Sequence, residues 1–138
     1  MEQPKLLHLI ANLKETAERD DWKVQYNKEL DTFYWSRDTI SPNTELKQFL
    51  DDFSLYINPD GNVEGIFIEY AKFNFFSHNK ELEPLIDKLE KGNGENVVSL
   101  SKEEELALKP FINSIADKAA SGFLKALVDS PALVENLG

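Results

Sequence analysis

The chain has 138 residues, a length that suits one domain and lets folding bury roughly 70% of the unfolded surface. It contains no cysteine, which excludes disulfides, thiolate metal sites and cysteine nucleophiles. Fifteen Lys and Arg stand against 25 Asp and Glu, a net charge of −10 that repels phosphate backbones and anionic bilayers.

Nucleic acid and membrane are therefore not expected partners. No apolar run approaches the ~20 residues of a membrane span. The start Met1-Glu2-Gln3-Pro4 lacks the basic opening of a signal peptide. The absence of cysteine fits a reducing compartment, so a cytoplasmic location is expected.

In chain order, a helix is expected from Pro4 to about Arg19, with Leu6, Leu9, Ile10, Leu13 and Ala17 on one stripe. His8 points away from that stripe. Asp20-Asp21 ends the helix. Trp22 to Asn27 alternates Trp22, Val24 and Tyr26 as a strand does, and Asp31 to Arg37 carries Phe33 and Trp35 on one face. Asp38 to Thr44, holding Ser41-Pro42-Asn43, reads as a loop. Glu45 to Asp52 fits either a helical turn or the start of a strand.

Phe53 to Tyr70 is the strongest local signal. Asn58-Pro59-Asp60-Gly61 has the residue order of a type I turn, with Pro presetting φ at the second place and Gly at the end. Alternation turns Phe53, Leu55 and Ile57 of one arm, and Ile66 and Ile68 of the other, toward a core. The second arm is expected to continue through Ala71 to Phe76.

Asn79 to Lys91 reads as a helix with Leu82, Leu85, Ile86 and Leu89 inward and Pro84 near its first turn. Gly92-Asn93-Gly94 stops it, and Asn96 to Leu100 has the length of an edge strand. Ser101-Lys102-Glu103-Glu104 is a capping box. The helix it opens is interrupted or kinked at Pro110 and continues from Phe111 to Val128, and Pro131 marks the tail. The expected fold is α+β. A small antiparallel sheet of about four strands (22–76) lies between an N-terminal helix (1–21) and a helical C-terminal part (79–128), with helices on one face.

Few motifs carry chemistry. Asn58, Asp60 and Asn62 at alternate places, with Glu69 twelfth, echo a calcium loop; the sixth place is Val63 instead of glycine and the flanks are strands, so a plain turn is preferred. No phosphate-cradling loop, zinc-protease helix or nucleophile elbow occurs. No catalytic residue, metal or cofactor is assigned. Asp31 and His78 are the functional candidates. Asp31 precedes Phe33-Tyr34-Trp35, and its ordinary role is a turn side chain accepting backbone N–H bonds. His78 stands at a strand–helix junction beside Phe75 and Phe76.

The helix from Phe111 to Val128 has an apolar arc of roughly 180°, wider than the ~100° that one-sided packing needs. Phe73, Phe75, Phe76, Ala116, Ala120 and Phe123 are therefore the candidate interaction surface, and a homodimer is one way to cover it. The first helix, with Leu6, Ile10 and Leu13, is the competing cover.

Tyr26-Asn27-Lys28-Glu29-Leu30-Asp31-Thr32-Phe33-Tyr34-Trp35, followed by Asp60-Gly61-Asn62-Val63-Glu64-Gly65-Ile66-Phe67-Ile68, resembles a small bacterial and archaeal family of domains of unknown function. Its members read tyrosine-aspartate-x-glutamate-x-aspartate-x-leucine-tyrosine-isoleucine, then an aspartate-glycine hairpin. The likeness covers about 22–70. Asn27 replaces the first aspartate, Trp35 the final aliphatic, and the terminal helices have no counterpart in the short members. The resemblance implies an antiparallel sheet and carries no activity or catalytic residue.

The function expected from these readings is a non-enzymatic interaction or regulatory module acting on a protein partner, a second copy included. Two alternatives stand beside it. One is an acidic inhibitor of a basic partner, such as an immunity protein, an antitoxin or a secretion chaperone. The other is a small enzyme using carboxylates and His78.

Overall fold

The computed structural model describes residues 3–92 and 96–129. Two short helices come first, α1 (Gln3–Ala11) and α2 (Leu13–Arg19). The single helix expected here breaks at Asn12. The Asn12 side-chain amide donates to the His8 carbonyl at 2.7 Å, the acceptor that a continuing helix reserves for a backbone N–H. At the far end Asp21 adopts φ 52, and the Trp22 N–H returns to the Ala17 carbonyl at 3.0 Å. This left-handed closure ends α2 and delivers Trp22 into the core at 3% exposure.

The strands are β1 (Lys23–Asn27), β2 (Thr32–Ser36), β3 (Glu45–Gln48), β4 (Phe53–Ile57), β5 (Val63–Ile68) and β6 (Val97–Ser99). Among the described residues they form one six-stranded antiparallel sheet in the order β3-β4-β5-β2-β1-β6. The expected count of about four is therefore too low. Both additional strands are edges. All four residues of β3 are exposed, so no alternation of buried and exposed residues announces it, and Glu45 to Gln48 resolves as strand.

The β4–β5 turn forms as its sequence dictates. The Gly61 N–H reaches the Asn58 carbonyl at 2.9 Å, and Gly61 takes φ 84, which glycine adopts without strain. Phe53, Leu55, Ile66 and Ile68 are buried, and Ile57 is partly buried where the register slips beside Tyr56.

The second arm does not run on past Tyr70. Ala71–Phe76 is a single π-type helical turn, and Tyr70 stands before it at φ 52. Alternating aromatics at Phe73 and Phe75 mimic a strand, but a distant acceptor decides the matter. The Asp31 carboxylate takes the N–H groups of Lys72 (2.7 Å) and Phe73 (3.0 Å), and the Tyr26 hydroxyl at 2.7 Å. The Asp31 carbonyl takes the Ala71 N–H at 2.9 Å. Asp31 itself sits at φ 52, a conformation that aspartate tolerates better than most residues.

A 3-10 turn (Lys80–Leu82) leads into α3 (Glu83–Glu90), with Pro84 in its first turn as expected. The stop at Asn93-Gly94 and the Pro131 tail lie outside the described residues. The capping box closes α4 (Lys102–Ala107). The Glu104 N–H meets the Ser101 Oγ at 3.1 Å, and the Ser101 N–H meets Glu104 Oε1 at 2.9 Å. Leu108 separates α4 from α5 (Lys109–Asp129), so Pro110 lies in the first turn of a new helix.

The helices bury one face of the sheet. Leu6, Ile10 and Leu13 join Val24, Phe33, Trp35, Leu55, Ile66 and Ile68, with Leu85 and Leu89 from α3 and Ile115, Ala119 and Phe123 from α5. The wide arc of α5 is met within the chain, because α1 packs along it.

Asp31→Ala removes the acceptor that fastens the π-type turn to the β1–β2 corner and is expected to cost about 2–4 kcal/mol. Asp31→Asn, which keeps one acceptor oxygen, should cost less. Urea melts of both measure this, and wild-type stability in Asp31→Ala would refute the clamp.

Candidate functional site

Antiparallel register lines residues up in rows across the sheet. One row runs Gln48, Ser54, Phe67, Tyr34, Gln25, and the next runs Leu46, Tyr56, Gly65, Ser36, Lys23. Side chains alternate along each strand, so these rows lie opposite the face that the helices bury. Gln25, Leu46 and Gln48 are exposed, and Tyr34, Tyr56 and Phe67 are half-buried.

Three aromatics form the centre of this face. Tyr34 and Phe67 have ring centroids 5.1 Å apart, and Tyr56 and Phe67 6.3 Å apart. Thr32 Oγ1 meets the Tyr34 hydroxyl at 3.2 Å. Burial, and then the neighbouring Tyr34, push the Tyr56 hydroxyl above its ordinary value, so it stays a neutral hydrogen-bonding group at physiological pH. Gly65 keeps this area flat. A Cβ there would lie 2.2 Å from the Ser36 Cβ, so no side chain stands between Tyr56 and Ser36 in that row. Lys23 is the single charged residue in the two rows, in a chain that is 29% charged.

Beside the tyrosines lies a hollow of about 220 Å³, bordered by Lys23, Gln25, Tyr34, Ser36 and Tyr56, with Arg37, Asp38 and Ile40 on the loop side. A buried carboxylate anchors that loop. Glu64, 1% exposed, accepts the Ser41 N–H at 2.7 Å and the Asn58 amide at 2.8 Å, and lies 3.2 Å from the Arg37 guanidinium. Burial alone would raise its pKa. The Ser41 N–H, the Asn58 amide and the Arg37 charge together outweigh burial and hold it below the ordinary value. One acid thus ties the β2–β3 loop to the β4–β5 turn and sets one wall of the hollow.

The expected candidates fall elsewhere. Asp31 is a cap for the π-type turn. His78 is exposed, with Nδ1 2.7 Å from the Asn74 carbonyl, and lines none of the cavities described here. Phe75, Phe76, Ala116 and Phe123 are buried in the chain's own core and Ala120 is partly buried, so of that group Phe73 alone, 80% exposed, is free to meet another molecule. Packing of the π-type turn and of α1 accounts for the difference.

Asn58 Oδ1 accepts the N–H groups of Asp60 and Asn62, each at 3.0 Å, so the turn engages the oxygen that a calcium loop would need. Among the described residues no three His, Asp or Glu side chains gather to hold a metal ion. No helix among them is long and apolar enough to cross a membrane.

Sequence reasoning passed over Tyr34, Tyr56, Phe67 and Glu64. The first three carried a signal, since burying Phe33, Trp35, Leu55 and Ile66 forces their neighbours outward. Glu64 carried none. No family model matches the chain, no curated protein is similar to it, and no solved structure shares significant likeness with it.

Glu64→Gln tests the anchor through pH. A carboxylate whose folded pKa is depressed stabilises the fold above the unfolded value, and that contribution disappears as pH falls through the folded value. The stability advantage of wild type over Glu64→Gln should therefore be full at neutral pH and shrink below about the ordinary value of 4.5. Melts across acid pH measure it, and a gap independent of pH would refute the anchoring charge.

Proposed function

We propose that the protein is a non-enzymatic interaction module that binds a basic protein partner through the open face of its sheet. One observation carries the reading: in a strongly acidic chain, the two rows that hold Tyr34, Tyr56 and Phe67 contain one charged residue, Lys23, and no acid. Interface centres are depleted in charge and enriched in Tyr and Phe, with polar rims. The hollow beside Tyr34 and Tyr56 is of a size to receive one partner side chain.

The surrounding charge argues for a basic partner. At −10 a second copy is repelled, whereas a cationic surface is drawn in. An acidic inhibitor of a basic protein is the finer form of the proposal, and a cytoplasmic setting, suggested by the cysteine-free composition, belongs to it. The likeness of residues 22–70 to the tyrosine-aspartate hairpin family is likewise a proposal of kinship and supplies no activity. The enzymatic alternative loses its motive, since His78 and the carboxylates described here share no cavity.

Tyr34→Ser/Phe67→Ser tests the reading. Wild type should retain one saturable basic partner in stoichiometric amount, with affinity falling as salt rises. The double variant should keep its melting temperature within a few degrees and lose at least about tenfold in affinity, or ~1.4 kcal/mol. Equal retention by both proteins would overturn the assignment of the face. A wild type that sediments as a dimer, converted to monomer by the double variant, would replace the basic partner with a second copy.

A further inference from the structure

At the β1–β2 corner the chain holds three large apolar side chains in water. Phe73 is 80% exposed, Leu30 62% and Tyr70 58%. They are distant in sequence, and Asp31 gathers them. Leu30 precedes Asp31 in the corner. The Asp31 carbonyl takes the N–H of Ala71, which follows Tyr70, and the Asp31 carboxylate takes the N–H of Phe73 at 3.0 Å.

The hydrogen bonds that build the corner use the backbone of Leu30 and Phe73 and not their side chains. The Leu30 N–H donates to Asn27 Oδ1 at 3.0 Å, and the N–H groups of Lys72 and Phe73 donate to Asp31. From the same turn the core takes Ala71, Phe75 and Phe76. A polar side chain at position 30 or 73 would leave these bonds unchanged. The display is also held against strain. Tyr70 has φ 52 and ψ 41, a left-handed conformation that a bulky residue rarely adopts. Residues strained in this way, and π-type turns, both cluster at functional sites.

Charge around the corner is acidic. Glu29, Asp31, Glu69 and Glu90 stand here against Lys28 and Lys72. Lys72 pairs with Glu90 at 3.0 Å, and the Lys28 ammonium donates to the Gly92 carbonyl at 2.7 Å. Glu29 and Glu69 are exposed and have no ion-pair partner among the described residues. Such a surface complements a cation. A second copy, related by a two-fold axis, would set these acids against themselves.

We propose that this corner docks a cationic amphipathic segment of a protein partner. Phe73, Tyr70 and Leu30 pack against its apolar stripe, and Glu29 and Glu69 face the Lys or Arg residues beside that stripe. The proposal rests on the basic-partner reading above and adds a contact beyond the open face. Tyr70 lies three residues after Phe67, so the two surfaces adjoin.

The probe is a fluorescein-labelled peptide of about 14 residues, built of Leu and Lys with leucine at helical spacing, and binding is read by anisotropy. A control peptide carries serine in place of leucine. Wild type should bind the leucine peptide saturably, with affinity falling as salt rises. Leu30→Ser/Phe73→Ser changes no charge. It should keep its melting temperature within a few degrees, lose at least about tenfold in affinity for the leucine peptide, and bind the serine peptide as wild type does. Glu29→Gln/Glu69→Gln should weaken both peptides and flatten the salt dependence. Leucine-peptide binding that Leu30→Ser/Phe73→Ser leaves unchanged would overturn the corner, and its loss in Tyr34→Ser/Phe67→Ser would then leave the open face standing alone. No saturable binding to wild type would overturn the corner together with the basic partner. Binding to neutral phosphatidylcholine vesicles, lost in Leu30→Ser/Phe73→Ser, with none to the peptide, would replace the protein partner with a bilayer. Phe73→Ser alone decides if the double variant does not fold.

Discussion

Along β2 successive side chains face opposite ways, and this period of two fixes both surfaces of the molecule. Phe33 and Trp35 are buried beneath the helices, and Tyr34 between them stands on the open face. β2 lies between β5 and β1, so its register is transmitted in both directions: Trp35 aligns with Val24 and Ile66, Tyr34 with Gln25 and Phe67. A slip of one residue would place Tyr34 in the core and expose an indole and a phenyl ring. Burial of Trp35 against Trp22 opposes that slip, so packing on the helical side holds the aromatic row on the other side in place.

Two carboxylates give this frame its corners, at opposite ends of the strands. Asp31 holds the β1–β2 corner to the turn that follows β5, and Glu64 holds the loop after β2 to the β4–β5 turn. Asp31 takes the backbone N–H groups of Lys72 and Phe73, and Glu64 that of Ser41, all in irregular or tightly coiled chain far off in sequence. In a protein with an excess of negative charge, these two acids serve the fold and most others face water. The two arginines of the chain are both paired: Arg37 with the buried Glu64, and the exposed Arg19 with the partly buried Asp20.

The parts legible in the sequence are those decided by near neighbours. The Asn58–Gly61 turn, the Ser101 capping box, and the alternation of Phe33 with Trp35 and Leu55 with Phe53 each follow from residues a few places apart. What escaped depends on distant partners. Ala71–Phe76 alternates as a strand does, and the carboxylate that coils it lies forty positions earlier, at Asp31. β3 buries nothing, so its membership in the sheet depends on pairing with β4. The open face was half legible. Alternation turns Tyr34, Tyr56 and Phe67 outward, but their meeting in one cluster depends on cross-strand register, which a single sequence does not encode in any local pattern. Ala116 and Phe123 carried the right apolar signal for burial, and its source stayed open between a second chain and α1, because periodicity on α5 cannot distinguish the two.

The margins of the sheet limit how anything can approach it. At one end β3 offers Glu45, Leu46, Lys47 and Gln48, all exposed, with charges of both signs on a four-residue strand. At the other end β6 has three residues. The short length of both outer strands, and the charges on β3, discourage another chain from adding itself as the next strand, the step that begins fibrillar stacking. Lys47 is aligned with buried Leu55, on the helical side of the sheet, where an extended β-stack would have to remove its ammonium group from water. The β3 margin thereby carries a barrier to templated growth along the hydrogen-bonding direction of the sheet.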